Sequence, residues 1–328
     1  MESVKLGLIG LGYIGKVHFQ NCLRLKSAKL VAVSDVSKKA LCLAKKRGVT
    51  KTYADYISLL DDKDIDAVII ALPTHLHATC VEEATKAGKH IFLEKPLARN
   101  SQEGRRILYA VSRERVKLMI GYHLRFSRNF QELGDRVREG ELGEIQTAYA
   151  TNVGPGPFLH RTEEYIPKPV PEWWFQKELS GGGALIDLGS HIINLLRWYF
   201  GEISSIRAHL GYRYDLEIED SATCMLRFKE GQNAVLQVGW VSQKSQIKVE
   251  LIGTVDHSRA TQDPPSKVKT AIQLMLKRTP DYYVPHLHEI QYFVNCLRKN
   301  LQPSPSGEDG LADLEAIEKA YKNQMEID

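Results

Sequence analysis

Short apolar runs alternate with segments of helical periodicity through the first third of the chain. The apolar runs are nearly continuous Val, Ile, Leu and Ala, which is typical of parallel strands buried on both faces. They predict strands at Lys5–Ile9, Lys29–Ser34, Ala67–Ala71, His90–Leu93 and Lys117–Gly121, and helices at Ile14–Leu25, Lys38–Arg47, Tyr56–Leu60, Leu76–Ala87 and Ser101–Arg113. This alternation predicts an α/β fold that begins with a Rossmann doubly wound parallel sheet.

The pattern changes after about residue 122, where strand-like runs follow one another with few helices between them. The predicted helices are Phe130–Glu139 and Gly189–Tyr199, and the strands are Glu144–Asn152, Ile203–Tyr212, Ser221–Lys229, Asn233–Val241 and Lys248–Gly253. Such runs predict an α+β domain with a large, mostly antiparallel or mixed open sheet. Gly154–Pro171 and Asp256–Ser266 are expected to be loops.

These patterns divide the chain into two expected domains. We expect residues 1–122 to form the Rossmann domain and residues 123–328 to form the second, α+β domain. Two final helical segments, Leu287–Lys299 and Asp309–Met325, are expected to pack back on the first domain.

Composition narrows the class of protein. The net charge of +4 comes from 44 basic and 40 acidic residues among 328, which is too small an imbalance to suggest a nucleic-acid or membrane-surface partner. The five cysteines are widely spaced without a CxxC pair, which argues against a disulfide scaffold or a metal site and favours the cytoplasm. No apolar run approaches the ~18 residues that a membrane span needs.

A glycine motif, Gly10-Leu11-Gly12-Tyr13-Ile14-Gly15, joins the first strand to the first helix. In this context the first glycine permits a tight turn, the second lets the backbone approach a pyrophosphate, and the third lets helix and strand pack closely. The backbone N–H groups of Tyr13 and Ile14 are expected to face the phosphates. Asp35 ends the second strand, about 20 residues later, where a carboxylate binds the ribose hydroxyls and favours NAD. Lys38 and Lys39 nearby leave NADP use open.

A charged pair, Glu94-Lys95, precedes Pro96 at the carboxyl end of a predicted buried strand. In an open parallel sheet this edge faces the ligand crevice. Because proline restricts its own backbone and that of the preceding residue, the Lys95 ammonium is expected to be held in place. A positioned cation there can stabilise a developing alkoxide.

The chain resembles the Gfo/Idh/MocA family, named for glucose–fructose oxidoreductase, inositol dehydrogenase and MocA. The matching segments span essentially the whole chain and are Gly10–Gly15, Pro73–His77, Glu94–Pro96, Gly121–Phe126, Gly181–His191 and Pro305–Gly310. The resemblance implies that Lys95 contacts the substrate and the nicotinamide ribose, with Glu94 near the nicotinamide. It also implies that the cofactor is lined by Leu72, Pro73, Thr74 and His77. It further implies that His123 binds the substrate. Similar proteins often have Asn at the positions of Thr74 and His123.

The pattern of Leu185–Phe200 also predicts a helix that begins before Gly189, and Asp187 and His191 are four residues apart in it, so their side chains project from one face. Alcohol oxidation needs a group that accepts the hydroxyl proton, and imidazole suits that task at neutral pH. We therefore expect His191 to be the general base, Asp187 its partner and Lys95 the electrostatic group. Trp174 lies in the segment before this helix, and its ring can either bury apolar surface or stack on a sugar ring. Arg125 and Arg161 are candidates to bind an anionic group of the substrate.

These features predict a cytoplasmic NAD-dependent dehydrogenase that moves a hydride between nicotinamide and a secondary alcohol or ketone of a sugar, cyclitol or nucleotide sugar. Two alternatives stay open: an NADPH-dependent reductase of keto-sugars or small carbonyls, and a non-catalytic dinucleotide-sensing regulator. Retention of Lys95, Asp187 and His191 favours the enzyme over the regulator. The resemblance implies a homodimer or homotetramer that pairs through the sheet of the second domain.

Overall fold

The computed structural model describes residues 3–160, 165–167, 170–263, 267–275 and 279–325. The chain divides into two compact units, which are taken in turn. Unit 1 consists of residues 1–123 and 273–311, and unit 2 consists of residues 124–272 and 312–328. Among the helices that the structure describes, none is long and apolar enough to cross a bilayer.

Unit 1 contains a six-stranded parallel sheet with helices between consecutive strands. In chain order its elements are β1 Val4–Ile9, α1 Tyr13–Cys22, β2 Ala28–Ser34, α2 Lys38–Lys46, β3 Lys51–Tyr53, α3 Tyr56–Leu60, β4 Ala67–Ile70, α4 His77–Lys86, β5 His90–Glu94, α5 Ser101–Glu114 and β6 Leu118–Gly121. The strand order β3-β2-β1-β4-β5-β6 is that of the Rossmann fold, which confirms the predicted fold class.

The apolar runs form strands because both faces of this sheet are covered. All four residues of β4 are fully buried, and β1 and β5 end in buried residues. The pattern missed β3, which is only three residues long and half-buried at the sheet edge. Asn100 caps α5, because the Asn100 side chain accepts the Glu103 N–H at 2.9 Å.

Unit 2 is built on a second six-stranded sheet. Its elements are α6 Arg128–Arg138, β7 Ile145–Val153, β8 Phe158–His160, β9 Tyr165–Pro167, α7 Lys177–Ser180, α8 Ser190–Phe200, β10 Ile203–Gly211, β11 Ser221–Phe228, β12 Asn233–Gly239, β13 Gln246–Gly253 and β14 His257–Gln262. The strand order is β10-β11-β12-β7-β13-β14, and β7 pairs with β12 in parallel whereas its pairing with β13 is antiparallel. The sheet is therefore mixed, as predicted.

Two predicted loops contain strands. The segment Asp256–Ser266 forms β14, whose pairing with β13 buries Ala260, although its other residues are polar and carry little strand signal. The segment Gly154–Pro171 contains the short β8–β9 hairpin, and residues 161–164 and 168–169 within it lie outside the described part of the chain.

Three helices complete the chain: α9 Lys267–Met275, α10 Val284–Arg298 and α11 Gly307–Lys322. Within unit 1, α10 packs on the sheet through Phe293, whose ring centroid is 5.9 Å from that of Phe92. Its Gln291 amide donates to Ser27 at 2.7 Å. This packing places the polar face of α10 beside α1 and the end of β5.

Candidate active site

The glycine loop at the end of β1 meets the steric demands of a pyrophosphate site. Gly10 has a φ of +92°, and a Cβ there would lie 2.4 Å from the Ala71 carbonyl oxygen. A Cβ at Gly15 would lie 2.1 Å from the Gly10 oxygen, so both positions require glycine. At Gly12, by contrast, a Cβ would meet nothing within 4 Å. This open space borders the N-terminus of α1, which no side chain of the described residues caps, and both features fit a bound pyrophosphate.

Asp35 lies at the end of β2 and holds the glycine loop. One carboxylate oxygen accepts the Leu11 N–H at 2.6 Å and the other accepts the Ser37 N–H at 2.7 Å. Each oxygen keeps a second lone pair for a ribose hydroxyl. The structure therefore adds a loop-bracing role to the ribose contact predicted from the sequence.

The residues after β4 divide between the loop surface and the interior. Leu72 and Pro73 are half-buried, whereas Thr74 and His77 are buried. The His77 ring lies between two carbonyl oxygens, with Nδ1 2.9 Å from Pro96 O and Nε2 3.0 Å from Leu72 O. Because burial lowers the pKa of His77, the neutral ring donates to one of these carbonyls at a time. His77 thus braces two strand ends, and its contact with the cofactor stays a prediction.

Glu94 and Lys95 lie at the carboxyl end of β5, with Glu94 buried and Lys95 half-buried. Glu94 Oε1 lies 2.5 Å from His18 Nε2 on α1, and Oε2 accepts the Lys95 backbone N–H at 3.2 Å. Burial alone would raise the pKa of Glu94, but its hydrogen bond and charge interaction with His18, together with the charge of Lys95, bring that pKa below its usual range. The carboxylate is therefore charged, and it ties α1 to the backbone of Lys95.

Two residues of α10 face the same region of unit 1. His286 stacks on His123, with ring centroids 4.1 Å apart and an interplanar angle of 15°. Glu289 is fully buried, and ligand-type atoms of Glu289, His18 and Glu94 lie within 4.8 Å of one another. We call His18, Glu94, His286 and Glu289 the buried His–Glu cluster.

Asp187 and His191 lie at the start of the unit 2 helix predicted to carry them. Residues Leu185–Gly189 form a π-helical turn that leads into α8, so Asp187 is in the π turn and His191 is in the first turn of α8. A π turn inside a helix is rare and is frequent at functional sites. His191 is 9% exposed, and Asp187 is half-buried.

The π turn is anchored by a buried carboxylate from the loop before β11. Glu219 accepts the Leu185 N–H at 2.9 Å, the Gly183 N–H at 3.1 Å and the Tyr321 hydroxyl at 2.8 Å. A Cβ at Gly183 would lie 1.9 Å from the Glu219 carbonyl oxygen. Gly183 is therefore needed for the close approach of these two backbone segments.

Asp187 has a partner that the sequence does not indicate. The Trp240 indole Nε1 donates to Asp187 Oδ2 at 3.2 Å, across 53 residues of sequence. Trp240 is buried in a cluster with Phe158 and Tyr214. Trp174 lies against it, with ring centroids 6.5 Å apart, so the structure brings this predicted substrate contact near Asp187.

Arg125 is a packing residue in this structure. It is 7% exposed, its guanidinium donates to the Asn194 carbonyl at 3.3 Å, and it lies 5.8 Å from the Trp198 ring centroid. The contact of Arg125 with a substrate anion stays a prediction. The other predicted anion contact, Arg161, lies outside the described residues.

Comparison with known proteins connects this geometry to a family. Residues 4–122 match the oxidoreductase family with an NAD-binding Rossmann fold, and residues 130–256 match the Gfo/Idh/MocA C-terminal domain. The chain belongs to the Gfo/Idh/MocA oxidoreductase family. The resemblance, the NAD cofactor and the enzyme class predicted from the sequence are thereby confirmed.

Members of this family that are similar to this chain include dehydrogenases of cyclitols. The myo-inositol 2-dehydrogenase of Thermotoga maritima is 29% identical over 94% of this chain and 92% of its own length. The inositol 2-dehydrogenase of Rhizobium meliloti is 28% identical over 99% of this chain and 98% of its own length. A crystal structure of a probable dehydrogenase from Thermotoga maritima superposes with a TM-score of 0.83 at 29% identity, covering 98% of this chain and 96% of that one.

Within this Gfo/Idh/MocA chain, sequence reasoning missed the residues that support the predicted site. His18, Glu219, Trp240 and Glu289 are buried polar or aromatic side chains whose partners are distant in sequence. One signal was available for two of them. His18 and Glu289 each interrupt the apolar face of a predicted helix, and a buried polar group needs a partner or a neutral state.

Proposed function

We propose that this chain is an NAD-dependent dehydrogenase that oxidises a secondary hydroxyl on the ring of a cyclitol or a closely related sugar. The observation that carries the proposal is the pair of inositol 2-dehydrogenases that match this chain over nearly their whole length. Their substrates are uncharged polyols, and the buried state of Arg125 agrees with a substrate that carries no anionic group.

In this proposal His191 accepts the hydroxyl proton as the carbon is oxidised. Asp187, whose carboxylate receives the Trp240 N–H, orients the imidazole or the substrate hydroxyl. The Lys95 ammonium stabilises the developing alkoxide, because a fixed cation is most effective where negative charge appears in the transition state. Bound NAD supplies the hydride acceptor. Trp174 and His123 offer ring faces to the carbon face of the polyol.

The test is NADH formation from NAD with a panel of inositols, other cyclitols, sugars and nucleotide sugars. We expect activity with a cyclitol and little with phosphorylated sugars. The variant His191→Ala should lower kcat by about 10²–10⁴-fold, the usual contribution of a general base, while NADH still binds. Unchanged turnover in this variant would remove His191 from the mechanism, and a blank across the whole panel would favour the dinucleotide-sensing alternative.

We also propose that the enzyme is a cytoplasmic homodimer or homotetramer. All five cysteines are free, as expected in a reducing compartment. The unit 2 sheet supports self-association because one face carries exposed apolar residues in register. Met225 on β11 is paired with Val235, which is paired with Tyr149 on β7, and Met225 and Tyr149 are 58% and 48% exposed.

A further inference from the structure

The buried His–Glu cluster contains two carboxylates in one apolar interior. Glu289 is 0% exposed and Glu94 is 6% exposed, and the cluster is closed off by the packing of α10 on the sheet. Neither carboxylate oxygen of Glu289 has a hydrogen-bond partner among the described residues. A buried carboxylate without a cation or a donor is several kcal/mol unfavourable in its charged form, by the usual cost of desolvation.

The chemistry of the cluster indicates which carboxylate carries the charge. Glu94 accepts from His18 and from the Lys95 N–H, so its charged form is stabilised. Glu289 has no such contacts, and a second negative charge within 4.8 Å of Glu94 is strongly disfavoured. Burial and the charge of Glu94 accordingly raise the pKa of Glu289 well above its usual range.

A metal ion is the other way to neutralise such a cluster, and the geometry argues against it. Two donors on one tetrahedral zinc ion, each about 2.0–2.2 Å from the metal, are roughly 3 Å or more apart. His18 Nε2 and Glu94 Oε1 are only 2.5 Å apart, a hydrogen-bond contact that is too close for the two atoms to bind one ion. Burial also lowers the pKa of His286 to about 3, so the second imidazole adds no positive charge.

We propose that Glu289 is a positioning residue that acts as a neutral carboxylic acid, leaving Glu94 as the single charged carboxylate that holds the Lys95 backbone. This inference rests on the proposed role of Lys95 in hydride transfer. When Glu289 loses its proton, a second negative charge faces Glu94, and the contacts through which Glu94 ties α1 to Lys95 are weakened. Turnover should then fall on the alkaline side as Glu289 titrates.

Several other titratable groups belong to the buried His–Glu cluster or contact it in unit 1. His18 of α1 and Glu94 of β5 lie beside Glu289, and Lys95 follows Glu94. The ring of His286 on α10 lies near His18, near His123, which follows β6, and near Tyr283 in the turn before α10. None of these places a hydrogen-bond donor on Glu289 in the described structure. The pH effect is therefore assigned to the Glu289–Glu94 pair, and the variants below are chosen to separate that pair from the histidines.

The first experiment does not depend on turnover. Infrared spectra of the full-length protein at neutral pH should contain the carbonyl band of a protonated carboxylic acid that is missing from Glu289→Gln. Because the folded state keeps a proton that the unfolded state releases above pH ~4.3, this group lowers stability as pH rises. Glu289→Gln should therefore have a higher Tm than the wild type, and this difference in Tm should increase between about pH 5 and pH 8.

The second experiment follows kcat across pH. The wild type should lose activity on the alkaline side, Glu289→Gln and Glu289→Met should abolish that loss because both stay uncharged, and Glu289→Asp should keep it. The control is His288→Gln, an exposed neighbour on α10, which should follow the wild type. An alkaline loss that is identical in the Gln and wild-type enzymes would overturn the positioning role.

The two experiments fail in distinguishable ways. If no substrate is oxidised but the infrared band and the Tm difference are found, the proposed function fails and the neutral state of Glu289 stands. If the enzyme turns over and the band is missing from the wild type, Glu289 is charged and the inference fails. Stoichiometric zinc or another divalent ion in protein purified without chelators would also overturn it, since metal binding requires the charged form.

Discussion

Asp35 stabilises the glycine loop through backbone contacts as well as through its position at the end of β2. Its two carboxylate oxygens accept the Leu11 and Ser37 N–H groups, which joins the glycine loop to the start of α2. A carboxylate that accepts two backbone N–H groups is fixed in one orientation. The same orientation is needed if the remaining lone pairs are to receive ribose hydroxyls.

The variant Asp35→Ala should raise the Kd for NADH by about 10–100-fold, because the net loss of one hydrogen bond to a charged group costs roughly 1.5–3 kcal/mol. Fluorescence titration with NADH and NADPH measures the change, and the NADPH affinity should fall less because a 2′-phosphate no longer meets a negative charge. The matched control is Asp55→Ala, which removes another carboxylate that caps a helix in unit 1 through the Ser58 N–H. Equal effects of the two variants on NADH binding would contradict the role of Asp35.

Among elements, the π turn Leu185–Gly189 shows how a local irregularity is held by distant groups. Glu219 binds the N–H groups at its start, Trp240 donates to Asp187 within it, and the Asn152 amide donates to the Leu188 carbonyl at 2.9 Å. A π turn is rare inside helices, and these outside contacts stabilise this one. Its geometry sets the direction of the Asp187 side chain.

The variant Trp240→Phe keeps an aromatic ring but removes the donor to Asp187. We expect kcat to fall about 10-fold, the usual effect of losing one hydrogen bond to a charged group, while the Kd for NADH is unchanged because the glycine loop belongs to the other unit. Steady-state kinetics and NADH titration separate the two effects. Trp198→Phe is the control, since the Trp198 ring contacts Arg125 and Arg138 instead of Asp187. A KM change with unchanged kcat would show that Trp240 acts on binding alone.

At the level of the whole molecule, the exposed face of the unit 2 sheet is expected to govern assembly. Along β7, β11 and β12 buried and exposed residues alternate, so one face forms the core of unit 2 and the other presents Tyr149 and Met225. A sheet face of this kind is a favourable surface for a second copy of the chain.

The double variant Tyr149→Glu and Met225→Glu should convert the proposed oligomer to a monomer, because two charges would be desolvated at each copy of the interface. Light scattering after size-exclusion chromatography measures the mass. A charged substitution at exposed Tyr109 on α5 of unit 1 is the control and should leave the mass unchanged. A wild-type protein that is monomeric at all concentrations would refute the proposed assembly.

Local sequence patterns predicted the features that depend on neighbouring residues. Strands β1, β2, β4, β5 and β6 were expected within one or two residues, because burial on both faces demands a continuous apolar run. The glycine loop was also predictable, since its spacing follows from backbone sterics within six residues. Short or polar elements such as β3 and β14 were missed because tertiary pairing, rather than local pattern, holds them.

The sequence by itself determined the fold class, the dinucleotide loop and the helix that carries Asp187 and His191, since each follows from periodicity or from close spacing. Only the tertiary structure decided that Trp240 donates to Asp187, that Arg125 is a packing residue, and that Glu289 lies beside Glu94. The physical reason is that desolvation and hydrogen bonding depend on which distant groups share one interior. Glu94 and Glu289 are the same residue type, and only their surroundings give one a charge and the other a proton.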